Sequence, residues 1–254
     1  MTIELISFRY NMKAKKRLEL LITLVNQSQA DLIMFCGHSL SYQYDIEKLK
    51  DRIENNTSFV LFEVREVKES NFIDLRNCLY SIENGSVHNL FTNQHFFSSG
   101  EIEGNEPLCE RFIYELETRR HFMVKDLTFM VFQCGEINII KNIQKEDNRP
   151  VFRLKERHDL EERLNRLLKD THIILNPIHT PMGNQGKMNR RREYFSADNR
   201  FYFSASQNGK KGKNDEIKIS INAKSLQYAY HNGKIIEHYS IETTNDYQKR
   251  LYHI

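Results

Sequence analysis

The sequence predicts an α/β fold with a layered sheet, and three observations lead to that prediction. Short apolar runs alternate along the chain with charged segments whose apolar residues recur at helical spacing. Hydrophobic residues make up 39% of the 254 residues, which is enough for a substantial core. Glycine and proline are scarce, with 10 and 4 residues, so the composition offers no flexible linker. We therefore expect a single domain over residues 1–254.

In the first half of the chain, helical segments separate strand-like runs. Leu18, Leu21 and Val25 predict a helix, because steps of three and four residues keep them on one face. The intervening apolar runs are short and typical of strands buried on both faces. The predicted elements are strand Ile3–Phe8, helix Lys13–Gln29, strand Asp31–Phe35, a helix marked by Ile46, Leu49 and Ile53, and strands Ser58–Val64 and Asn77–Ile82.

In the second half, the most apolar run of the chain is a predicted strand that ends just before Cys134. Pro177 is expected to stop a later strand because proline lacks a backbone N–H. Asn232-Gly233 is a strong hairpin signal. Glu110–Asp126 fits a strand and a helix equally and stays open. The predicted elements are strand Leu127–Phe132, helix Lys155–Lys169, strand His172–Asn176, helix Arg190–Asn199, strand Phe201–Ser206 and the hairpin strands Leu226–His231 and Lys234–Tyr239.

Four segments carry a family resemblance through their order and spacing. They are ADLIMF (Ala30–Phe35), LTFMVFQCGE (Leu127–Glu136), THIILNP (Thr171–Pro177) and RRREYFSADNRFYFSASQN (Arg190–Asn208). Together they resemble the nitrilase superfamily, the carbon–nitrogen hydrolases that cleave nitriles and non-peptide amides. The resemblance extends from Ile3 to about Tyr239. It implies a four-layer αββα sandwich, a single nitrilase-like domain and a homodimer.

The resemblance also implies a Glu-Lys-Cys triad, in which Glu is the general base, Lys stabilises the oxyanion and Cys is the nucleophile. Cys134 occupies the nucleophile position, Gly135 would offer its N–H to the oxyanion, and Glu136 fills the family's acidic position. The glutamate and lysine positions fall on Gly37 and Gln94. Two of the three functional groups are therefore replaced, which puts ordinary amidase or nitrilase chemistry in doubt but leaves the fold prediction intact.

Three histidines accompany these positions. His38 and His95 directly follow the two replaced residues, and His179 lies where the family lines its pocket. Histidine titrates near neutral pH and can pair with a thiolate, so His38 and His95 are candidate partners of Cys134. The chain has 10 histidines, so a structural or surface role for each of the three stays open.

Two functions remain open at this level. The first is a divergent thiol hydrolase that acts on a small amide or nitrile through Cys134. The second is a non-catalytic nitrilase-fold module that binds a partner protein or a small ligand. The surroundings of the Cys134 sulfur distinguish them: a histidine or carboxylate within hydrogen-bond reach favours the enzyme, and an apolar cage favours the module.

Composition argues against several other classes. The mean hydropathy is −0.63 and no apolar run is long enough for a membrane span. The four cysteines contain no CxxC pair, so neither a zinc knuckle nor a thioredoxin motif is present. We expect neither a metal nor a cofactor. The net charge is only +3, and the clusters Arg190–Arg192 and Lys210–Lys213 leave nucleic-acid binding as a minor alternative. The first residues lack the order of a signal peptide, which predicts a cytoplasmic location.

Overall fold

The chain forms six α-helices and eighteen β-strands within residues 1–68, 74–89, 93–181, 185–211, 217–218 and 226–254, which the computed structural model describes. The helices are α1 (Ala14–Gln27), α2 (Asp45–Lys50), α3 (Ser99–Ile102), α4 (Glu106–Thr118), α5 (His158–Lys169) and α6 (Gln185–Phe195). The strands are β1 (Thr2–Phe8), β2 (Leu32–Phe35), β3 (Leu40–Tyr42), β4 (Phe59–Lys68), β5 (Asp74–Glu83), β6 (Ser86–Asn89), β7 (His121–Val124), β8 (Leu127–Val131), β9 (Ile140–Ile143), β10 (Arg149–Phe152), β11 (Ile173–Ile178), β12 (Phe201–Ser206), β13 (Lys210–Lys211), β14 (Ile217–Lys218), β15 (Gln227–His231), β16 (Lys234–Ile235), β17 (Ser240–Thr243) and β18 (Tyr247–His253).

Two mixed sheets contain most of these strands. The first has eight strands in the order β17-β18-β1-β2-β4-β5-β6, with β3 beside β4. The second has six in the order β16-β15-β12-β11-β8-β7. Strands β1, β2 and β4 run parallel in the first sheet, and β8, β11 and β12 run parallel in the second. The carboxyl ends of these central strands are where the side chains of the candidate site gather.

Alternation along the strands of the second sheet explains the four layers. Phe129 and Val131 belong to the core that the first sheet shares, whereas Met130 belongs to a separate core. A strand presents successive side chains to opposite faces, so each strand of this sheet serves both cores. The second core also contains the buried faces of α4, α5 and α6, and the buried face of α1 lies in the first. The predicted αββα sandwich is confirmed.

Several element predictions need correction. Pro177 does not end its strand: β11 continues to Ile178, because pairing to β8 stops at Leu175 while pairing to β12 continues. The open stretch Glu110–Asp126 contains the end of α4 and then β7. The last strand, β18, was not predicted and pairs antiparallel with β1.

The boundaries of two other predicted elements shift. Helix α6 begins and ends earlier than predicted, and the hairpin strand after Gly233 is only the two-residue β16. The hairpin turn itself is present, with positive φ angles at Asn232 and Gly233. None of the described helices is long and apolar enough to cross a bilayer.

Candidate active site

Cys134 begins a turn directly after strand β8. It is the first residue of a short 3₁₀ helix, Cys134–Ile139. Its φ angle is +33°, a conformation that costs an L residue roughly 1–3 kcal/mol and is typical of functional sites. The residue is partly exposed, whereas Cys36, Cys78 and Cys109 are buried. The thiol therefore stands at the carboxyl edge of the second sheet, where a ligand can reach it.

Close backbone packing fixes the turn from both sides. A Cβ atom on Gly135 would lie 2.0 Å from the carbonyl oxygen of Phe97, so only glycine fits here. On the other side, the side-chain amide of Asn176 donates a hydrogen bond to the carbonyl of Phe132 at 2.6 Å. Tyr202 in turn donates to Asn176 at 2.8 Å. This packing restricts the position of the thiol.

Glu136 lies beneath the turn and is fully buried. Its carboxylate accepts hydrogen bonds from the backbone N–H of His95 at 2.8 Å and of Gln133 at 2.7 Å. The guanidinium of Arg120, also fully buried, donates the third at 2.5 Å. These three donors occupy the carboxylate, so Glu136 connects the turn to neighbouring segments.

A second buried carboxylate, Glu63, lies in the middle of strand β4. It accepts hydrogen bonds from the backbone N–H of His38 at 2.8 Å and from the side-chain amide of Gln133 at 2.7 Å. The Nε2 atom of His179 lies 2.7 Å from the same carboxylate. Burial by itself would raise the pKa of Glu63, but His179 beside it lowers that pKa to about 2. Glu63 is therefore a buried anion.

His179 joins this carboxylate to the thiol. It directly follows β11, is 8% exposed, lies 2.7 Å from the Glu63 carboxylate, and interacts electrostatically with the Cys134 side chain. Burial alone would lower the pKa of His179, but the Glu63 carboxylate and then Cys134 outweigh burial and raise it well above 6.5. The imidazole thus interacts with a carboxylate and with a thiol, a combination that can activate a nucleophile.

His38 contacts His179. The two rings stack with their centroids 3.7 Å apart, and the His38 Nε2 atom lies 2.7 Å from the Asn77 side-chain oxygen. Burial, followed by the charge of His179, lowers the pKa of His38 to about 4, so His38 is neutral at neutral pH. The His38 ring therefore packs against the His179 ring as an uncharged aromatic group.

Gly37 shows why His179 can occupy this place. A Cβ atom on Gly37 would lie 2.3 Å from the Cδ2 atom of His179. The imidazole thus fills space that any larger residue at position 37, including glutamate, would need. The glycine at position 37 and the histidine at position 179 are therefore sterically linked.

Gln94 and His95, two other residues singled out from the sequence, have their own partners. Gln94 is buried, accepts a hydrogen bond from Asn77 at 3.1 Å, and donates to the carbonyl of Phe96 at 2.9 Å. The His95 Nε2 atom lies 3.9 Å from Glu115 and has no hydrogen-bond partner among the residues that the structure describes.

Comparison with known proteins adds evidence on the fold. No protein-family model and no curated protein matches the sequence. The NitN amidase from Nesterenkonia sp. AN1 superposes with a TM-score of 0.59 at 8% identity, over 100% of this chain and 92% of that one. A CN-hydrolase superfamily protein from Xanthomonas campestris with an arsenic adduct in its active site gives 0.56 at 11%, over 100% and 90%. The fold is that of the nitrilase superfamily.

A glutamine-dependent NAD(+) synthetase from Cytophaga hutchinsonii matches the same nitrilase fold. Its TM-score is 0.60 at 12% identity, over 99% of this chain. The chain spans only 42% of the length of that synthetase. The match therefore concerns one part of a longer enzyme.

His38, Glu63 and His179 also have the composition of a metal site. Their ligand atoms all lie within 4.8 Å of one another. However, an imidazole binds a metal in the plane of its ring, and these two rings are stacked with only 11° between their planes. One ion cannot lie in both planes without rotation of a ring, so this arrangement fits a proton relay better than a metal centre.

The basic run of α6 is used for packing within the nitrilase fold. Arg192 is 1% exposed and lies 3.6 Å from the ring centre of Tyr228. Arg191 donates to the side-chain oxygens of Asn138 and Asn142 at 2.6 and 2.8 Å. Arg190 is paired with acidic side chains. The side chains of the cluster Lys210–Lys213 lie outside the described residues.

Sequence reasoning did not find Glu63, and it gave His179 only a pocket-lining role. The signal for Glu63 was a single acidic residue inside the otherwise apolar run FVLFEV. A charge in a strand buried on both faces requires a partner, and such groups often belong to functional sites. The identity of that partner depends on contacts across 116 residues of sequence, which no local pattern reveals.

Proposed function

We propose that this protein is a divergent nitrilase-fold thiol hydrolase with the triad Cys134, His179 and Glu63. The observation that carries the proposal is the position of His179, bonded to a buried carboxylate and within reach of the thiol. His179 takes the role of the family's missing glutamate as proton acceptor. The two candidates from the sequence then have supporting roles: His38 stacks on His179, and the backbone N–H of His95 donates to Glu136.

The first half-reaction is acylation. His179 holds the proton that the Cys134 thiol has given up, and the thiolate attacks the carbonyl carbon of a small amide. The carbonyl π electrons move to oxygen and give a tetrahedral oxyanion. The C–N bond then breaks, the nitrogen receives the proton from His179, and a thioester on Cys134 remains.

The second half-reaction is hydrolysis of the thioester. His179 takes a proton from water, and the resulting hydroxide attacks the thioester carbon. When the C–S bond breaks, the carboxylic acid leaves, the sulfur departs as the thiolate, and His179 keeps the proton, which restores the starting pair. Glu63 stabilises the imidazolium in both halves, as the buried carboxylate does in Ser-His-Asp sites.

The oxyanion requires donors because the family's lysine position holds Gln94, whose amide is bonded to the backbone. The first N–H groups of a helix have no intrahelical acceptor. Those of Cys134 and Gly135 open the 3₁₀ helix beside the sulfur and are suitable donors. A single such donor contributes roughly 3 kcal/mol to transition-state stabilisation in comparable enzymes.

The alternative, a non-catalytic binding module, requires a Cys134 sulfur enclosed by apolar groups. The sulfur instead adjoins an imidazole bonded to a carboxylate, which supports the enzyme. The amidase among the structural matches supports small amides as the substrate class. We also propose a cytoplasmic homodimer, and light scattering that gives only the 30.3 kDa monomer at micromolar concentration would reject the dimer.

The test of the proposed function is acyl transfer to Cys134. The full chain is mixed with p-nitrophenyl acetate, and the expected result is a burst of p-nitrophenolate together with one acetyl group on the Cys134 peptide by mass spectrometry. Cys134→Ser and His179→Gln should each remove the burst. Acetylation that spreads over lysines and other cysteines, with no burst, would contradict the proposal.

A further inference from the structure

Gln133, the residue directly before Cys134, carries a fully buried side-chain amide. It lies between the end of strand β8 and the 3₁₀ helix that Cys134 begins. The preceding stretch, LTFMVF (Leu127–Phe132), is apolar apart from one threonine. Burying an amide in such surroundings is unfavourable unless it finds hydrogen-bond partners, so the contacts of Gln133 show what the residue does.

The Gln133 side chain joins the two sheets. Gln133 follows β8 of the second sheet, and its Nε2 atom donates to the Glu63 carboxylate, in β4 of the first sheet, at 2.7 Å. The same nitrogen donates to the backbone carbonyl of Asn77, in β5 of the first sheet. Both partners are oxygen acceptors, and only the NH₂ end of an amide can donate to them. The contacts therefore fix which end of the amide faces Glu63.

The hydrogen bond from Gln133 restricts the orientation of the Glu63 carboxylate. It goes to Oε2, whereas the backbone N–H of His38 and the Nε2 atom of His179 lie 2.8 and 2.7 Å from Oε1. Rotation of the carboxylate would break a charge-assisted hydrogen bond, so Oε1 stays toward His179. Burial raises the pKa of Glu63, and the neighbouring His179, then His38 and then this hydrogen bond lower it to about 2.

The other end of the amide shows that its N–H groups account for the residue. The Oε1 atom of Gln133 is buried and has no hydrogen-bond partner in the part of the chain that the structure describes. An unpaired buried oxygen is unfavourable, and an apolar side chain of similar length would avoid it. The contacts of the nitrogen therefore explain why an amide stands here, and one of them is with the anion of the proposed triad.

We propose that Gln133 is a positioning residue whose side-chain amide holds the Glu63 carboxylate in the orientation that His179 requires. His179 then remains an imidazolium beside the thiol of Cys134. This inference rests on the proposed function, because it assigns a role within the same triad. Gln133 and Cys134 are consecutive residues, so one short segment carries both the nucleophile and the group that orients the anion.

Gln133→Met tests the proposal, because methionine has a similar length and no N–H group to donate. The readout is the titration of His179, followed by NMR of the full chain labelled at its histidine rings and assigned through His179→Gln. We expect the pKa of His179 to fall by about one pH unit in Gln133→Met, the tenfold change that corresponds to losing one hydrogen bond to a charged group. The other titratable groups that interact with His179, which are His38 and Cys134, are the same in both proteins. An unchanged pKa in folded Gln133→Met would overturn the inference.

Two further variants make the result specific. Gln248→Met is the matched control, because it removes another buried amide, which lies in β18 and donates to the Thr243 hydroxyl. The pKa of His179 should stay the same in this variant, and an equal fall would show that any lost amide has the effect. Gln133→Asn keeps an amide on a side chain shorter by one methylene, which moves it away from Glu63. It should lower the pKa of His179 as Gln133→Met does, and it gives the same test if the methionine variant does not fold.

The positioning role and the proposed hydrolase can fail separately. If His179 titrates lower in Gln133→Met but the unmodified protein gives no acetyl burst at Cys134, Gln133 orients the carboxylate and the hydrolase is rejected. If the unmodified protein gives the burst, the burst in Gln133→Met should be roughly tenfold slower, in line with the same lost hydrogen bond. A burst of unchanged rate, with an unchanged pKa of His179, would leave the hydrolase standing and reject the role of Gln133.

Discussion

Two buried glutamates on either side of the Cys134 turn have similar surroundings and different consequences. Glu63 and Glu136 are both fully buried, and each accepts three hydrogen bonds. Gln133 donates to both, through its side chain to Glu63 and through its backbone to Glu136. Each carboxylate also accepts a hydrogen bond from a backbone N–H, that of His38 for Glu63 and that of His95 for Glu136. The two sites differ only in the third donor.

The third donor decides what each site can do. Glu136 is paired with Arg120, whose guanidinium keeps its proton at any pH a protein tolerates. Glu63 is paired with His179, an imidazole that can release its proton and that lies beside a thiol. A buried carboxylate therefore stabilises the backbone at Glu136, whereas at Glu63 it supports proton transfer.

The largest expected effect comes from removing the titratable donor. His179→Gln should slow alkylation of Cys134 by iodoacetamide at about pH 6.5 by roughly 10²–10⁴-fold, the usual contribution of a general base. Peptide mass spectrometry gives the rate at each cysteine. Cys36 and Cys109 serve as internal references, because burial raises their pKa to about 11 and about 12.

Two histidine variants are the controls for this prediction. His158→Gln changes a histidine whose side chain is 80% exposed and should leave the rate unchanged. His95→Gln should change it only slightly, since that ring faces Glu115. If the alkylation rate of Cys134 depends more on His95 than on His179, then His95, a candidate from the sequence, is the base and His179 is not.

The next effect contrasts the two glutamates directly. Glu63→Gln keeps the shape but removes the charge that stabilises the His179 imidazolium, and should slow Cys134 alkylation by roughly 10²-fold. Glu136→Gln removes the carboxylate charge nearest to the buried Arg120 guanidinium, whose Nε atom lies 3.7 Å from Glu115, and should reduce the free energy of unfolding by about 3–5 kcal/mol. Urea denaturation and alkylation rates are measured on both variants. Glu63→Gln should mainly slow alkylation, and Glu136→Gln should mainly lower stability. Equal losses in the two variants would end the distinction between them.

The fold was predictable to a much greater extent than the site. Apolar runs such as Leu127–Phe132 and stripes such as Leu18–Val25 are local patterns, and the helices and strands follow from them. The place of Cys134, directly after strand β8, could be predicted from the local sequence. Its interaction with the Glu63–His179 pair could not, because that pair joins segments from two different sheets. Strand β18 was missed because it lies beyond the segments that carry the family resemblance.

A smaller effect tests whether Gly37 makes room for the imidazole. Gly37→Ala would place a Cβ atom 2.3 Å from His179 Cδ2 and 3.0 Å from the backbone nitrogen of the same residue. The ring must move, so we expect Cys134 alkylation to slow by roughly tenfold and stability to fall by about 1–3 kcal/mol. Gly100→Ala is the control, because its nearest neighbour would be 3.9 Å away. An alkylation rate equal to that of the unmodified protein would mean that the ring position does not matter.

The smallest effect concerns stability against pH, and its sign follows from Glu63. The pKa of this carboxyl falls from 4.5 to about 2 on folding, because the neighbouring His179 outweighs the effect of burial. Its contribution is complete above the unfolded value and is lost as the pH falls from about 5 towards 2. His179, with a pKa raised well above 6.5, stays protonated throughout this range and adds no slope of its own. Between about pH 6 and pH 4 the free energy of unfolding should therefore fall by on the order of 1 kcal/mol through Glu63 alone.

In urea titrations, Glu63→Gln should lose this part of the dependence of stability on pH, while Glu162→Gln, at an exposed position, should keep it. A slope that is the same in both variants would show that the carboxylate beside His179 is not ionised in the folded protein, and the proton relay through His179 would lose its anion.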